Sequence, residues 1–459
     1  MNANFVTRNG FANTETFDGR DLILPRLGFN FLLDDDTTLY GGLGQFGGGT
    51  PNVWLSNSFS NDGVTIVNTT VNAMSPAALQ TAALQNVNGF DIPTEVQALL
   101  LPGNGTVNAI DPDFEIPSSW RYSLGVDRRL NLGFLGDGYR AKAELIYTDV
   151  KDGVFWQDLR LRQTGTAPDG RPIYSSIAPG GNDLLITNTD RGDSLLFSID
   201  VSKTWRTAAG QFDLFVGYAY NEAEDVNPGT SSVAFSSFGR VGTSDPNNPV
   251  VATSNYETRH RFPISLNWRK AFWGDYETGA SLFVERRSGR PYSLTFGRGT
   301  SVFGDPSQGG EQRQLLFLPA NLTDIDYAGG LTAAALQAFI DTYGLAKYQG
   351  GIVPRSAFRS PWVTTADLRL SQEIPTFIKG TKGVVTLDVE NFANLLNSDW
   401  GRLEQVGFPH FSPTVDASIV NGRYVYRPVA GATGVNAPFR SLTALQSVWR
   451  VQLGVRFEF

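Results

Sequence analysis

The feature that most constrains this chain is a residue-by-residue alternation of apolar and polar side chains, which recurs in segments of about ten residues. The last segment shows it best, because its two sets of side chains fall on opposite faces of an extended chain. One face takes Trp449, Val451, Leu453, Val455, Phe457 and Phe459, and the other takes Arg450, Gln452, Gly454, Arg456 and Glu458. A period of two predicts β-strands. No segment approaches the roughly 18 consecutive apolar residues of a spanning helix.

The pattern predicts eleven strands whose connections are alternately short and long. The predicted strands are 22–33, 37–48, 118–130, 139–150, 194–205, 211–222, 258–270, 276–287, 361–373, 383–393 and 447–459. The short connections are 34–36, 131–138, 206–210, 271–275 and 374–382, and the long ones are 49–117, 151–193, 223–257, 288–360 and 394–446. Residues 75–87 and 331–343, inside two long connections, have the composition of short helices, with Ser or Thr near the start.

Aromatic side chains crowd the ends of the apolar faces. They are Trp120, Tyr139, Tyr147, Trp205, Tyr220, Trp268, Tyr276, Trp362 and Trp449. Two aromatic girdles around an apolar band are typical of a barrel that faces lipid. The sequence therefore predicts an all-β fold, a transmembrane antiparallel β-barrel in the outer membrane of a Gram-negative cell. Its turns would be periplasmic, as would its C-terminus, and its long loops extracellular. A soluble sandwich that buries the apolar faces is the alternative.

The opposite face of the predicted strands is small, polar and charged, as a water-filled or plugged lumen requires. Its charged side chains are candidates for contact with a plug or a solute. The candidates are Arg121, Lys142, Glu144, Asp200, Arg269, Glu285, Asp367, Arg369, Arg450 and Arg456. The alternative is that these residues form salt bridges between neighbouring strands and have no further role.

Composition excludes several classes of function. The chain has no Cys and two His, so disulfides, thiolate metal sites and histidine-rich metal centres are not expected. The net charge of −8 includes no basic run, which argues against nucleic acid as a partner. The acidic run 34–36 lacks the Gly and the spaced ligands of a calcium loop, so we expect a solvated turn. No cofactor and no metal are predicted.

A single His near an acid is weak support for catalysis. His260 follows Glu257 by three residues, but the sequence contains no GxSxG nucleophile element. We therefore predict no catalytic residue and no enzymatic activity.

An odd number of strands raises a question of completeness. A closed bacterial barrel has an even number, and an open sheet would leave unpaired backbone groups in lipid. We therefore expect residues 1–21 to be the remnant of an extracellular loop and residues 22–459 to be the C-terminal part of a barrel. An N-terminal portion and a signal peptide would be missing from this chain.

Several segments, taken in order, resemble a known family. They are 25–31 (PRLGFNF), 39–46 (LYGGLGQF), 51–57 (PNVWLSN), 113–130 (DFEIPSSWRYSLGVDRRL) and 389–397 (VENFANLLN). Together they resemble the barrel of TonB-dependent outer-membrane transporters, in particular the Oar-like group. The resemblance covers nearly the whole chain.

The resemblance implies a 22-strand barrel preceded by a plug domain, with an N-terminal segment that contacts TonB. This chain would hold half of that barrel and neither the plug nor the TonB-contacting segment. The implied function is capture of an unknown solute by the long loops and its passage to the periplasm. A passive porin, an adhesin-type barrel and a soluble β-rich binding protein are alternatives.

The last strand is similar to the signal that the barrel-assembly machinery reads in such proteins. Its residues would be Val451, Leu453, Val455, Phe457 and Phe459. An exposed strand edge with an aromatic end can be captured by strand addition. The alternative is a plain terminal strand without a recognition role.

Overall fold

A computed structural model describes residues 1–48, 51–65, 75–85, 93–97, 103–307, 310–378, 380–438 and 440–459. Within these ranges, eleven long strands form one antiparallel sheet, and each pairs with the next one along the chain. They are β1 (Arg26–Asp34), β2 (Thr37–Gly47), β3 (Ser118–Leu130), β4 (Tyr139–Asp158), β5 (Asp193–Thr207), β6 (Gly210–Asp225), β7 (His260–Trp273), β8 (Tyr276–Arg287), β9 (Val363–Pro375), β10 (Lys382–Glu390) and β11 (Arg450–Glu458).

All eleven predicted strands are therefore confirmed, with differences only at their ends. The first strand begins at Arg26 rather than at residue 22, and the last begins at Arg450 rather than at residue 447. β4 runs eight residues beyond its predicted end at residue 150, because its outer part pairs with a loop strand, Asp183–Thr189. Sequence alternation located the strands, and tertiary pairing extended them.

The turns are short and built from turn residues. Between β1 and β2, the amide N of Asp36 donates to Oδ1 of Asp34 at 2.9 Å, so the acidic run forms a local turn. Gly274, between β7 and β8, has φ +54°, a backbone conformation that favours glycine. No group of three or more His, Asp or Glu side chains that could hold a metal ion occurs among the described residues.

The two edges of the sheet lie at β1 and β11. Over the described part of the chain, β1 pairs only with β2, and β11 pairs only with β10. In the same residues, no helix has the length and apolarity needed to cross a membrane.

The long connections all leave from the same end of the strands, since the strands are antiparallel and the other connections are turns. We number them loop 1 (48–117), loop 2 (159–192), loop 3 (226–259), loop 4 (288–362) and loop 5 (391–449). Their helices, with the N-terminal one, are α1 (Ala3–Asn9), α2 (Pro51–Ser60), α3 (Pro76–Gln85), α4 (Thr94–Gln97), α5 (Ala234–Gly239), α6 (Ala333–Tyr343) and α7 (Phe392–Leu396). Short 3-10 turns are Gly133–Leu135, Gly310–Arg313, Ala346–Tyr348 and Ala444–Gln446.

Both helices predicted within loops are present. α3 covers most of the predicted 75–87, of which residues 86 and 87 lie outside the described residues. α6 begins after Thr332, whose hydroxyl accepts a hydrogen bond from the amide N of Ala335 at 3.2 Å, as an N-cap does. The helix ends at Gly344, with φ +63°.

The loops also contain short strands, some of which pair within one loop and others with a different loop. These strands are Val107–Ile110, Leu161–Thr166, Pro172–Ser176, Asp183–Thr189, Ala252–Thr253, Pro291–Phe296, Phe317–Leu318, Asp326–Tyr327, Gly351–Ile352, Phe358–Arg359, Glu404–Gln405, Phe411–Val420, Arg423–Arg427 and Ser441–Leu442. Loop 1 pairs in parallel with loop 2, and loop 4 pairs in parallel with loop 5. These contacts are non-local in sequence, so the loops form one packed unit.

We call this unit, with the N-terminal residues 1–20, the loop cap. Its largest apolar cluster is built mainly by loops 4 and 5, with Ala167 of loop 2, and includes Phe296, Leu336, Val415 and Tyr426, all fully buried. A second cluster brings Trp156 at the outer end of β4 together with Ile110 and Phe238 of loops 1 and 3. Phe5 of α1 packs in a third cluster with Val107 and Leu185. The interpretation of residues 1–21 as a loop remnant remains a prediction.

Candidate functional site

Strand register separates two chemically different faces of the sheet. Leu266 of β7 lies opposite Leu214 and Leu282 on its two neighbours, and Leu282 lies opposite Leu368. The residues next to this apolar row on each strand are polar, and they also lie opposite one another. They are Asp213, Asn267, Ser281, Arg369, Asp388 and Gln452. Alternation along six strands thus adds up to one apolar face and one polar face.

The apolar face is open in this chain. Leu453 and Val455 on β11 are 71% and 73% exposed, and Leu27, Phe29 and Phe31 on β1 are exposed as well. The exposed apolar surface extends from β1 to β11, which is far more than a soluble monomer tolerates in water. The medium that suits such a surface is the hydrocarbon core of a membrane.

The structure places the predicted girdle residues at the two ends of the apolar face. Near the loops are Trp120, Tyr147, Tyr220, Trp362 and Trp449, and near the turns are Tyr139, Trp205, Trp268 and Tyr276. At the turn end, the Lys203 ammonium lies 5.0 Å from the ring centre of Tyr139 and donates to the carbonyl of Asp137. Lysine side chains at a membrane interface extend their ammonium group toward water in the same way.

His260 lies among aromatic side chains at the loop end of the apolar face. Its Nδ1 lies 3.0 Å from the Tyr218 hydroxyl, and its ring stacks 5.7 Å from Trp362. The acid three residues earlier, Glu257, is buried and held elsewhere by ion pairs with Arg259 and Arg359. The arrangement is an aromatic cluster, and Glu257 does not orient His260.

The predicted lumen contacts all lie on the polar face, and several of them pair across or along strands. Arg369 binds Asp388 on the next strand, Arg450 binds Glu390, and Glu285 accepts from Arg261 and Arg287. Lys142 lies 3.7 Å from Glu144, Arg456 binds Glu458, and Asp367 accepts from the amide of Asn391 at 2.7 Å. These pairs agree with the alternative interpretation, in which the charged residues form salt bridges with one another. A role in contacting a plug or a solute remains a prediction.

Arg121, Asp200 and Arg269 form no ion pair within 4.0 Å in the described residues. Arg121 instead lies with its guanidinium carbon 5.3 Å from the ring centre of Phe46. Four residues further along β3, the Tyr40 ring covers Gly125, where an added Cβ would come within 2.2 Å of that ring. Glycine at position 125 is therefore required by close packing on the polar face.

A polar cavity of about 590 Å³ lies on this face, across β6 to β11. Its charged lining residues are Asp213, Arg269, Glu277, Arg369, Glu373 and Arg456. Mixed charges with Ser, Thr and Asn between them suit contact with a solvated or polar partner. They do not form a nucleophile with a base and an orienting acid.

Above the sheet, the loop cap is held by buried charges. Asp183 of loop 2 accepts from Arg160 at 2.9 Å and from Arg8 of α1 at 2.8 Å, and the side chains of Asp183 and Arg160 are fully buried. Arg160 also donates to the carbonyl of Gly105 in loop 1 at 2.7 Å. One carboxylate thus ties the N-terminal helix and two loops together.

Comparison with known proteins identifies the barrel. A family model described as outer membrane beta barrel domain matches residues 3–399. The chain belongs to this family. Membership confirms the predicted fold class and places the barrel in the outer membrane of Gram-negative bacteria.

Solved outer-membrane proteins resemble the barrel at low identity. The transporter YddB from Escherichia coli has a TM-score of 0.43 and 9% identity, over 93% of this chain and 39% of YddB. A mutant of the ferric enterobactin receptor PfeA from Pseudomonas aeruginosa has a TM-score of 0.37 and 10% identity, over 95% of this chain and 39% of PfeA. The chain thus spans about two fifths of the length of these proteins. No curated protein matches the sequence.

The barrel's loops carry functional candidates that sequence analysis did not identify. A cluster in loop 4 contains the buried ion pair between Asp305 and Arg313, at 2.6 Å, with Glu311 beside it. Oε1 of Glu311 accepts from the amide N of Phe303 at 2.9 Å, while its Oε2 is buried without a hydrogen-bond partner in the described residues. Burial, and then the charge of Asp305, raise the pKa of Glu311 to about 7.

Glu311 should therefore make the stability of loop 4 depend on pH. A carboxyl group with a raised pKa keeps its proton in the folded state at pH values where the unfolded chain has lost it. Stability is highest below pH 4.5, the group's ordinary pKa, and falls as pH rises to about 7. We expect a loss of roughly 2–3 kcal/mol across this window. Glu311→Gln should abolish it, as measured by intrinsic-rate-corrected amide exchange of residues 310–318. An equal loss in both proteins would contradict the assignment.

Proposed function

We propose that this barrel is the loop-bearing part of a TonB-dependent transporter that captures a solute outside the cell and passes it to the periplasm. The observation that carries the proposal is the loop cap, in which five long loops pack into one unit at one end of a sheet with a polar, cavity-bearing face. A barrel that only anchors a protein in the membrane, or that only forms a passive pore, does not require an ordered cap. Family membership and the sequence resemblance to TonB-dependent transporters support the same proposal.

In this proposal the remaining strands of the barrel pair with the free edges of β1 and β11. Unpaired backbone groups on a strand edge in hydrocarbon cost several kcal/mol each, so edge pairing is strongly favoured. A plug would lie against the polar face, with Arg121, Asp200 and Arg269 as its charged contacts. β11, with Val451 to Phe457 on its exposed apolar face, would be the strand that the barrel-assembly machinery captures. TonB would act through a plug-associated segment.

The proposal is tested on the natural gene product that contains this chain, purified from outer membranes. In planar lipid bilayers a plugged transporter should give no steady open channel, and calorimetry should detect binding of the periplasmic domain of TonB. A passive porin gives the reverse result, with stable conductance and no TonB binding, and that result would reject the proposal. Removal of the plug-encoding segment is the matched control, because it should open a channel and abolish TonB binding together.

A further inference from the structure

A second cavity lies within the loop cap, separate from the polar face of the sheet. It has a volume of about 450 Å³ and lies where loops 3, 4 and 5 meet. Arg240 follows α5 in loop 3, Arg298 and Gln312 come from loop 4, and Val406–Pro413 of loop 5 supply most of the remaining wall. We call it the cap cleft. Its volume falls within the range of small-molecule sites.

The charge of the cap cleft has one sign. Its charged lining residues are Arg240 and Arg298, and neither forms an ion pair within 4.0 Å in the part of the chain that the structure describes. The protein as a whole carries a net charge of −8, so a cleft with two unpaired guanidinium groups has the opposite charge from the protein overall. Unpaired arginines in a concave site attract anions.

Both guanidinium groups are oriented by neutral neighbours. The guanidinium carbon of Arg240 lies 5.2 Å from the ring centre of Phe408, and Nε of Arg298 donates to Oε1 of Gln312 at 2.6 Å. Stacking on a ring face leaves the edge donors of a guanidinium free. These donors match the geometry of a carboxylate or a phosphate.

The turn that presents Phe408 is well supported. Nδ1 of the buried His410 donates to the carbonyl of Val406 at 2.8 Å, and its amide N donates to the carbonyl of Gly407 at 2.7 Å. Ser412, 1% exposed, also lines the cleft, and its hydroxyl has no hydrogen-bond partner among the described residues. The hydrogen bonds hold the turn in one conformation, and the Ser412 hydroxyl is available to bind a ligand. Both properties suit a preorganised binding site.

We infer that the cap cleft binds a small organic anion, with its carboxylate or phosphate between Arg240 and Arg298 and its apolar body against Phe408. The walls formed by Val406, Phe411 and Pro413 give the apolar body a matching surface. The inference rests on the proposed function, because it names the chemical class of solute that the loops capture. Recognition needs no metal, since the two guanidinium groups supply the charge.

Calorimetry on the detergent-solubilised natural protein tests the inference with three probes. 4-Phenylbutyrate and phenyl phosphate carry the two anionic groups, and 4-phenylbutyramide is the neutral analogue of the first. Both anions should bind at millimolar concentration or below, and the amide should not. The stronger of the two anions identifies the preferred group. Equal binding of amide and carboxylate, or no binding of either anion, would overturn the inference.

Variants locate the site. Arg240→Gln and Arg298→Gln should each weaken anion binding roughly tenfold, since each removes a charge-assisted contact. Arg423→Gln is the matched control, because Arg423 lies on the exposed hairpin of loop 5 and pairs with Asp326 outside the cleft. Unchanged affinity in both cleft variants would overturn the inference. The readout is binding alone, so a failure here is distinguishable from a failure of the channel and TonB measurements, which do not involve the cleft.

Discussion

Leu266→Arg should destabilise the barrel by about 2–4 kcal/mol, the cost of a charge near the midplane of the lipid-facing surface of a β-barrel. Leu266 lies at the middle of β7, between Leu214 and Leu282, and is 40% exposed on the apolar face. An arginine there can satisfy its charge only by distorting the bilayer or the barrel. Urea unfolding of the natural protein in lipid vesicles, followed by tryptophan fluorescence, measures the effect.

The neighbouring residue provides the control. Ser265 points to the polar face and lines a pocket of about 500 Å³ with Asp367, Asp388 and Glu390. An arginine at 265 gains nearby carboxylates and stays in the polar lumen, so Ser265→Arg should change stability by less than about 1 kcal/mol. The opposite ranking, with Ser265→Arg harmful and Leu266→Arg tolerated, would mean that the apolar face is not in lipid.

The barrel strands could be predicted from sequence because their environment is divided into two phases. Each strand has lipid on one side and a polar lumen on the other, so polarity must alternate along it. The order Trp449 to Phe459 shows this without any tertiary information. Turn chemistry then fixed the strand ends to within a few residues, and the cap at Thr332 marked a helix.

The loop cap could not be predicted in the same way. The loop strand Pro291–Phe296 alternates over only six residues and is buried on both faces, so its alternation does not indicate which elements cover it. Its partner Phe411–Val420 lies more than a hundred residues away and pairs in parallel. The outer end of β4 was missed for a similar reason, because Phe155 and Trp156 are covered by loops rather than exposed to two phases.

The candidate site follows the same division. Charged residues on the strands were predicted to share one face, because strand register alone determines their side. Arg240 and Arg298 were not predicted, since being unpaired is a property of the assembled loops and not of any local pattern. Arg160 was missed as well, because an arginine is rarely fully buried and its partner Asp183 is 23 residues away.

Asp183→Ala should unfold much of the loop cap around loops 1 and 2 and leave the barrel strands intact. The substitution leaves the fully buried Arg160 guanidinium without its carboxylate, and breaking a buried pair from one side costs about 3–5 kcal/mol. It also releases Arg8, so α1 loses its ion pair with loop 2. Amide exchange should become fast at residues 103–110 and 183–189, with no change in β6 to β10.

The exposed pair between Asp326 and Arg423 is the control, because both side chains are about half exposed. Asp326→Ala should cost less than about 1 kcal/mol, as exposed ion pairs contribute little. The double variant Asp183→Ala with Arg160→Met removes both buried charges and should recover part of the lost stability, since the main cost is the orphaned charge rather than the missing contact. If Asp183→Ala alone leaves exchange in loops 1 and 2 unchanged, the buried carboxylate does not hold the cap together. If the double variant is no better than the single one, the penalty lies in the lost contacts.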